Sequence, residues 1–254
     1  MTKKPTERFS DRVANYVRYR PNYPEALVNT LIDSCQLNAS SVVVDVGSGT
    51  GKFTRHLLEK GLQTIAVEPN QEMRQAAEQM LSGYQCFTSA AGSAETTGLA
   101  DNSADLIVAA QAFHWFRPIE ARCEFNRILK PGGHVALVWN QRKVERPFQR
   151  DYDSLLRKHA PEYVTLNHRN IADDVIAHFF DPGGYQSFSF ANAQRFDKDG
   201  FLGRMQSSSY TPTVGTSEHA QLITAAEQLF ALYEESGEIV LDYDTRLFLG
   251  KLGR

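Results

Sequence analysis

Cysteine is scarce in this chain of 254 residues: Cys35, Cys86 and Cys123 are all it has. They cannot all pair and none forms a C-x-x-C, which excludes a disulfide scaffold and a zinc module. Long hydrophobic runs are also missing, with nothing close to the ~20 apolar residues of a membrane span. The opening MTKKPTERFSDR has no apolar stretch of the kind a secretory signal needs. His56, His114, His134, His159, His168, His178 and His219 never fall at a metal-ligand spacing such as H-x-x-x-H, so no metal is expected. Internal repeats and low-complexity tracts are absent. What these absences leave is a soluble, cytoplasmic globular protein with no membrane partner.

The composition is that of an ordinary globule, 42% apolar and 22% charged. A chain of this size buries roughly 70–75% of its unfolded surface, and one domain, residues 1–254, is expected. The net charge of −3 is unevenly placed. Residues 1–20 carry six bases (Lys3, Lys4, Arg8, Arg12, Arg18, Arg20) against Glu7 and Asp11, so the segment is +4 and the remainder −7. It reads either as a solvated basic arm or as a lid that attracts an anionic ligand. A nucleic-acid reader would show a wider basic surface, so nucleic acid is not expected as a partner.

From Ser41 onward, short β-branched runs alternate with segments of helical period, the pattern of βα units on a parallel sheet. Strands are expected at 41–46, 64–68, 84–89 (the weakest), 105–110, 134–139, 185–190 and 238–249. The intervening helices include 51–60, closed by Gly61, and a segment after Pro69 with Met73, Ala76, Ala77, Met80 and Leu81 on one face. Pro131-Gly132-Gly133 is expected to turn the chain between a helix ending near Leu129 and the fifth strand. Over 217–236, Leu222, Ile223, Ala226, Leu229, Phe230 and Tyr233 line one side of a helix capped by Ser217 and closed by Gly237. The chain thus divides into an arm (1–24), a core (40–140), a partly helical insertion (141–181) and a closing part (182–254).

The segment Val44-Asp45-Val46-Gly47-Ser48-Gly49-Thr50-Gly51-Lys52-Phe53 joins the first strand to a helix, where backbone N–H groups and the helix dipole face a ligand. As a P-loop it fails twice, because Val46 stands where the first glycine belongs and Phe53 where magnesium needs Ser or Thr. A dinucleotide fingerprint would place Gly or Ala at position 52, which is Lys52. NAD is disfavoured, not excluded.

As it stands, Asp45-Val-Gly47-Ser-Gly49-Thr-Gly51 resembles motif I of the class I S-adenosylmethionine-dependent methyltransferases, an acidic residue followed by G-x-G-x-G. The resemblance implies S-adenosylmethionine as cofactor. Gly47, Ser48, Gly49, Thr50 and Gly51 would wrap its methionine moiety and Asp45 would reach its ammonium through water. Glu68, in Glu68-Pro69-Asn70, lies 21 residues after Gly47, where a carboxylate can accept hydrogen bonds from ribose hydroxyls. Gly92-Ser-Ala94-Glu95 is similar to the family's adenine-contacting segment. Residues 105–111, ending in Gln111, resemble its fourth strand, and Leu-Lys-Pro-Gly-Gly at 129–133 its approach to the fifth. The likeness spans about residues 40–140 and implies a Rossmann-like α/β fold: a seven-stranded mixed sheet of order 3-2-1-4-5-7-6, the last strand antiparallel, with helices on both faces.

The flanks resemble the trans-aconitate-type group within that family: the arm from Phe9 to Pro24, and Gln111-Ala-Phe-His114-Trp115-Phe116. Phe9, Val13, Tyr16, Val17 and Arg20 share a helical face, so the arm can cover a pocket. Tyr16, Tyr19 and Tyr23 are expected either to shield a sulfonium or merely to anchor the arm. His114 is a candidate general base or an orienting group. Tyr16, Tyr19, Arg20, Tyr23, His114, Trp115, Phe116 and Asn140 are the expected acceptor site, for a small molecule that includes carboxylic acids. Two rivals stay open here: an NAD-dependent oxidoreductase, and a noncatalytic S-adenosylmethionine-binding module.

Overall fold

In this computed structural model, which describes residues 18–166 and 173–253, valine-rich runs make the strands and amphipathic runs make the helices. Five strands lie parallel: β1 (Val42–Val46), β2 (Gln63–Val67), β3 (Phe87–Ala90), β4 (Ala104–Ala110) and β5 (Leu129–Arg142). β6 (Tyr185–Phe196) and β7 (Ile239–Gly250) close the sheet, with β7 antiparallel to both β5 and β6. The order is β3-β2-β1-β4-β5-β7-β6, as the resemblance implies.

Alternation along the strands sends side chains to opposite faces, and each face has its own cover. Val44, Val46, Ile107, Ala109, Val135 and Leu137 pack under α4 (Pro118–Ile128) and α7 (Asp173–Phe180). Val43, Leu106, Val108, Ala136 and Val138 pack under α1 (Glu25–Cys35) and α2 (Lys52–Glu59). α3 (Gln71–Leu81) follows β2. A third cluster joins α5 (Pro147–His159), α8 (Lys198–Gln206) and α9 (Ser217–Tyr233) to the far ends of β6 and β7. α6 (Glu162–Leu166) continues the insertion.

Several local expectations are corrected. Pro131-Gly132-Gly133 lies inside β5: Leu129 pairs with Ala104 and His134 with Leu106, so the triplet forms an irregularity within the strand, with Gly132 at φ +84°. Met80 falls on the solvent side of α3 at 38% exposure, whereas Met73, Ala77 and Leu81 are buried. Thr216, not Ser217, caps α9 by accepting from His219 N, and that helix ends at Tyr233. The third strand begins at Phe87, and β6 continues to Phe196. α1 is not among the expected elements. Phe9, Val13, Tyr16 and Val17 lie outside the described residues. Among the described residues, no helix is long and apolar enough to cross a membrane, and no cluster of His, Cys, Asp or Glu could hold a metal ion.

α4 offers a direct test of the layering. Phe125 is fully buried and meets Phe116 and Phe179 edge-on, whereas Ile119 on the same helix is 79% exposed. In urea denaturation, Phe125→Ala is expected to cost about 3–5 kcal/mol and Ile119→Ala under about 0.5 kcal/mol. Equal costs would mean that α4 does not pack by this face.

Candidate active site

The turn after β1 is shaped by left-handed backbone at Gly47, Gly49 and Gly51. A Cβ on Gly47 would lie 2.6 Å from Ala112 Cβ, and one on Gly51 2.6 Å from Leu81 Cδ1, so these two glycines also permit close packing. Gly47 N and Ser48 N donate to Val67 O, and Gly51 N donates to Ser48 O. Gly49 N donates to Glu68 Oε2 at 2.9 Å. This corrects the expectation that the loop presents its amides to a ligand, since these four are bonded within the protein. What it presents is side-chain oxygen: Ser48 Oγ, Thr50 Oγ1 and Asp45 Oδ1 are buried without a hydrogen-bond partner.

Two carboxylates sit beneath the loop. Asp45 is fully buried and accepts from Thr54 Oγ1 at 2.6 Å. Burial pushes it up to about 7, against the Thr54 hydrogen bond and helped by the charge of Glu68. Glu68 accepts from Asn70 N at 2.8 Å as well as from Gly49 N, and burial raises it too, against those two bonds. Asn70 caps α3, its Oδ1 accepting from Met73 N, and Pro69 beside it is exposed. Ala94 packs into the core, and Glu95 accepts from Arg117 N at 2.8 Å.

Residues 19–23 cross the carboxyl edge of the sheet as a strap held by its backbone. Gln194 Nε2 donates to Tyr19 O, Lys52 Nζ to Arg20 O, and Asn140 Nδ2 and Asn192 Nδ2 both to Asn22 O. The Arg20 side chain donates from Nη2 to Ser207 O. Tyr23 is buried edge-on against Phe53 at 4.9 Å, and the Tyr19 ring lies over Gly203. Both tyrosines anchor the strap. Under it is a cavity of about 40 Å³ whose lining includes Arg20, Asp45, Ser48, Lys52, Gln111 and Arg204, with Tyr23, Gly47 and Asn140 beside them.

The structure thus brings Asp45, Gly47, Ser48, Arg20, Tyr23, Gln111 and Asn140 together and leaves Thr50 aside, in a separate cleft with Arg18 and Arg55. Gln111 holds φ +58°, uncommon for a residue with a side chain and frequent at functional sites. Its N donates to Val138 O and its Nε2 to Asn140 O. Asn140 is engaged at both ends of its side chain: besides donating to the strap, its Oδ1 accepts from Asn192 Nδ2 and Thr245 Oγ1. His114 stands in the turn after β4 with its ring 4.8 Å from that of Trp115. Burial, then the charge of Arg20, pulls it down to about 4, so the imidazole is neutral at pH 7. Phe116 closes on Gly47. Tyr16 lies outside the described residues.

Lys52 and Arg204 line the cavity without having been expected there. Lys52 is held down to about 8, first by burial and then by Arg55, Arg20 and Arg204. Its place directly after the third glycine was a legible signal. Arg204 had a fainter one: it sits three residues after Phe201 and next to Met205, on the apolar side of α8.

A family profile described as a methyltransferase domain matches residues 44–137. A methyltransferase-like protein of Schizosaccharomyces pombe, itself uncharacterised, is 32% identical over 248 residues, covering 94% of this chain and 93% of its own. An uncharacterised methyltransferase of Mycobacterium tuberculosis is 37% identical over 148 residues, and that match spans 58% of each chain. A solved protein of Anaeromyxobacter dehalogenans, described as a candidate type II methyltransferase, shares the fold at TM-score 0.67 and 24% identity, over 91% of this chain and 97% of its own.

Asp45 yields a pH-dependent outcome. The folded protein keeps its proton up to about pH 7, whereas an unfolded aspartate releases it near about 4. The stability linked to that proton is therefore complete below about pH 4 and lost as pH rises through about 7. Asp45→Asn cannot ionise but can still accept from Thr54. Its stability relative to the wild type, read by urea unfolding, should rise between pH 4 and 7 and then level. A difference that does not vary with pH would mean that Asp45 ionises normally.

Proposed function

Because the chain belongs to the methyltransferase family, we propose that the cavity under residues 19–23 is where it methylates a small-molecule acceptor. The cofactor is S-adenosylmethionine, which supplies a sulfonium methyl for in-line displacement. The observation that carries this reading is the pair of buried oxygens without partners, Asp45 Oδ1 and Ser48 Oγ, beside the left-handed Gly47 on one cavity wall. Such a wall suits the amino-acid end of the cofactor, with Asp45 toward the ammonium and Ser48 and Lys52 toward the carboxylate. Each Glu68 oxygen keeps a second lone pair, so it can accept from ribose hydroxyls while holding Gly49 and Asn70. Residues 40–140 thus serve the cofactor, and the insertion and closing part serve the acceptor.

The strap governs access. A cavity of about 40 Å³ admits a few waters and no nucleoside, so the backbone bonds at Tyr19, Arg20 and Asn22 must open for entry and re-form to exclude water. Gln111 and the strap then fix orientation, which with proximity is the main contribution a protein makes to such a displacement. The acceptor in this reading is a carboxylic acid, in keeping with the likeness to trans-aconitate-type enzymes. Arg20 supplies positive charge at the cavity, and a carboxylate has no proton to lose at pH 7. A neutral His114 whose conjugate acid lies at about 4 is a weak base, so it orients the acceptor.

In calorimetry, the protein should bind S-adenosylhomocysteine with a micromolar Kd, about −7 to −8 kcal/mol, and show no saturable heat with NAD. The reverse pattern would refute the reading. His114→Gln should retain substantial turnover of a carboxylate acceptor, whereas an acceptor that must be deprotonated would lose roughly 10²–10⁴-fold.

A further inference from the structure

Arg204 is a buried cation set among tyrosines, with no carboxylate partner among the described residues. It is buried on the side of α8 that also buries Phe201 and Met205. Its Nε donates to Tyr243 Oη at 3.3 Å and its Nη1 to Ser208 Oγ at 3.2 Å. Both partners are hydroxyls, and among the described residues no carboxylate pairs with this guanidinium. The contrast is Arg142, also deeply placed, which meets Asp153 at 3.2 Å and Tyr163 Oη at 2.7 Å. Removing a guanidinium from water without a counter-charge is strongly unfavourable, and hydroxyls offset only part of that. Of the five N–H groups in the fork, three are left over, including the whole of Nη2.

Its surroundings sharpen the imbalance. Arg204 lines the cavity beneath the strap together with Arg20 and Lys52. Among the described residues, Asp45 is the only carboxylate on that lining, and it is engaged with Thr54. The repulsion among the three cations is felt at Lys52, where burial and then Arg55, Arg20 and Arg204 lower the ammonium.

We propose that Arg204 is the seat of the acceptor's carboxylate, held by the unused side of its guanidinium fork, so that the acceptor is a small carboxylic acid converted to its methyl ester. A fork of this kind matches a carboxylate through two parallel hydrogen bonds. The assignment rests on the methyl-transfer reading above. The step balances without a base: a carboxylate oxygen bonds to the methyl carbon as the carbon–sulfur bond breaks, the bonding pair remains on sulfur, and the charges of carboxylate and sulfonium vanish together. No proton moves.

The test uses the full chain, methyl-labelled S-adenosylmethionine, and a mixture of straight-chain mono- and dicarboxylic acids of two to ten carbons, with the corresponding alcohols and amines as controls. The wild type should form methyl esters from the acids and nothing from the controls. Arg204→Gln should bind S-adenosylhomocysteine within twofold of the wild type and lose at least tenfold in kcat/KM, mainly through KM. Arg204→Lys, which keeps the charge without the fork, should recover part of that loss and serves if the Gln variant does not fold. The proposal is overturned if the wild type methylates only the neutral controls, or if Arg204→Gln forms esters as well as the wild type does. It is also overturned if the variants lose affinity for S-adenosylhomocysteine but not for methylthioadenosine, since the anion at Arg204 would then be the cofactor's own carboxylate. A wild type that binds no S-adenosylhomocysteine would instead sink the methyltransferase reading, and this assignment with it.

Discussion

Glu68 is the fastening on which this sheet edge depends. One carboxylate oxygen holds the amide of Gly49 in the turn after β1, and the other holds the amide of Asn70 at the start of α3. Two βα units are thereby locked in register at the point where their backbones leave the sheet. Buried amides without acceptors would cost about 1–3 kcal/mol each, and the Glu68 carboxylate removes that cost at Gly49 and Asn70. Asn70 extends the fastening by capping α3, and the Glu68 backbone oxygen accepts from Arg74 Nη1. A ligand reaching for this carboxylate meets a group already fixed in place.

The charges arranged around the cavity have a common sense. On the loop wall, Asp45 is held near neutrality by burial. Arg20 and Arg204 bring positive charge to the same lining, and His114 is discharged by burial and by Arg20. The site therefore offers fixed positive charge and no strong base. That division suits chemistry in which an anion is the nucleophile, because such a reaction needs the anion positioned more than it needs a proton removed.

The parallel strands were legible because Val43-Val44 and Leu-Ile-Val at 106–108 are buried on both sides, and buried strands read as continuous apolar runs. The glycine loop and Glu68 were legible because their spacing is local. Met80 was misread because helical period assigns a face without measuring how far the cover extends. Pro131-Gly132-Gly133 was misread because turn residues also serve irregularities within a strand. The strap's tethers could not be read from sequence. Gln194 and Asn192 find carbonyls 175 and 170 positions earlier, and an amide side chain carries no sign of so distant a partner. Arg204 left only a faint trace for a related reason: its Nε finds the hydroxyl of Tyr243, 39 positions later, and the sequence around it resembles an ordinary helix.

The strap is attached through its main chain. Its carbonyls at Tyr19, Arg20 and Asn22 accept from side chains that belong to α2, β5 and β6. The means of attachment and the identity of the roof are thus written in different parts of the gene. Substitutions at positions 19, 20 or 22 can reshape the ceiling over the cavity while the four donors keep their grip, whereas a change at Asn140 would loosen the roof whatever residues form it. Descendants of this chain can therefore vary what covers the cavity by altering a few strap residues, without rebuilding the contacts that hold the strap in place.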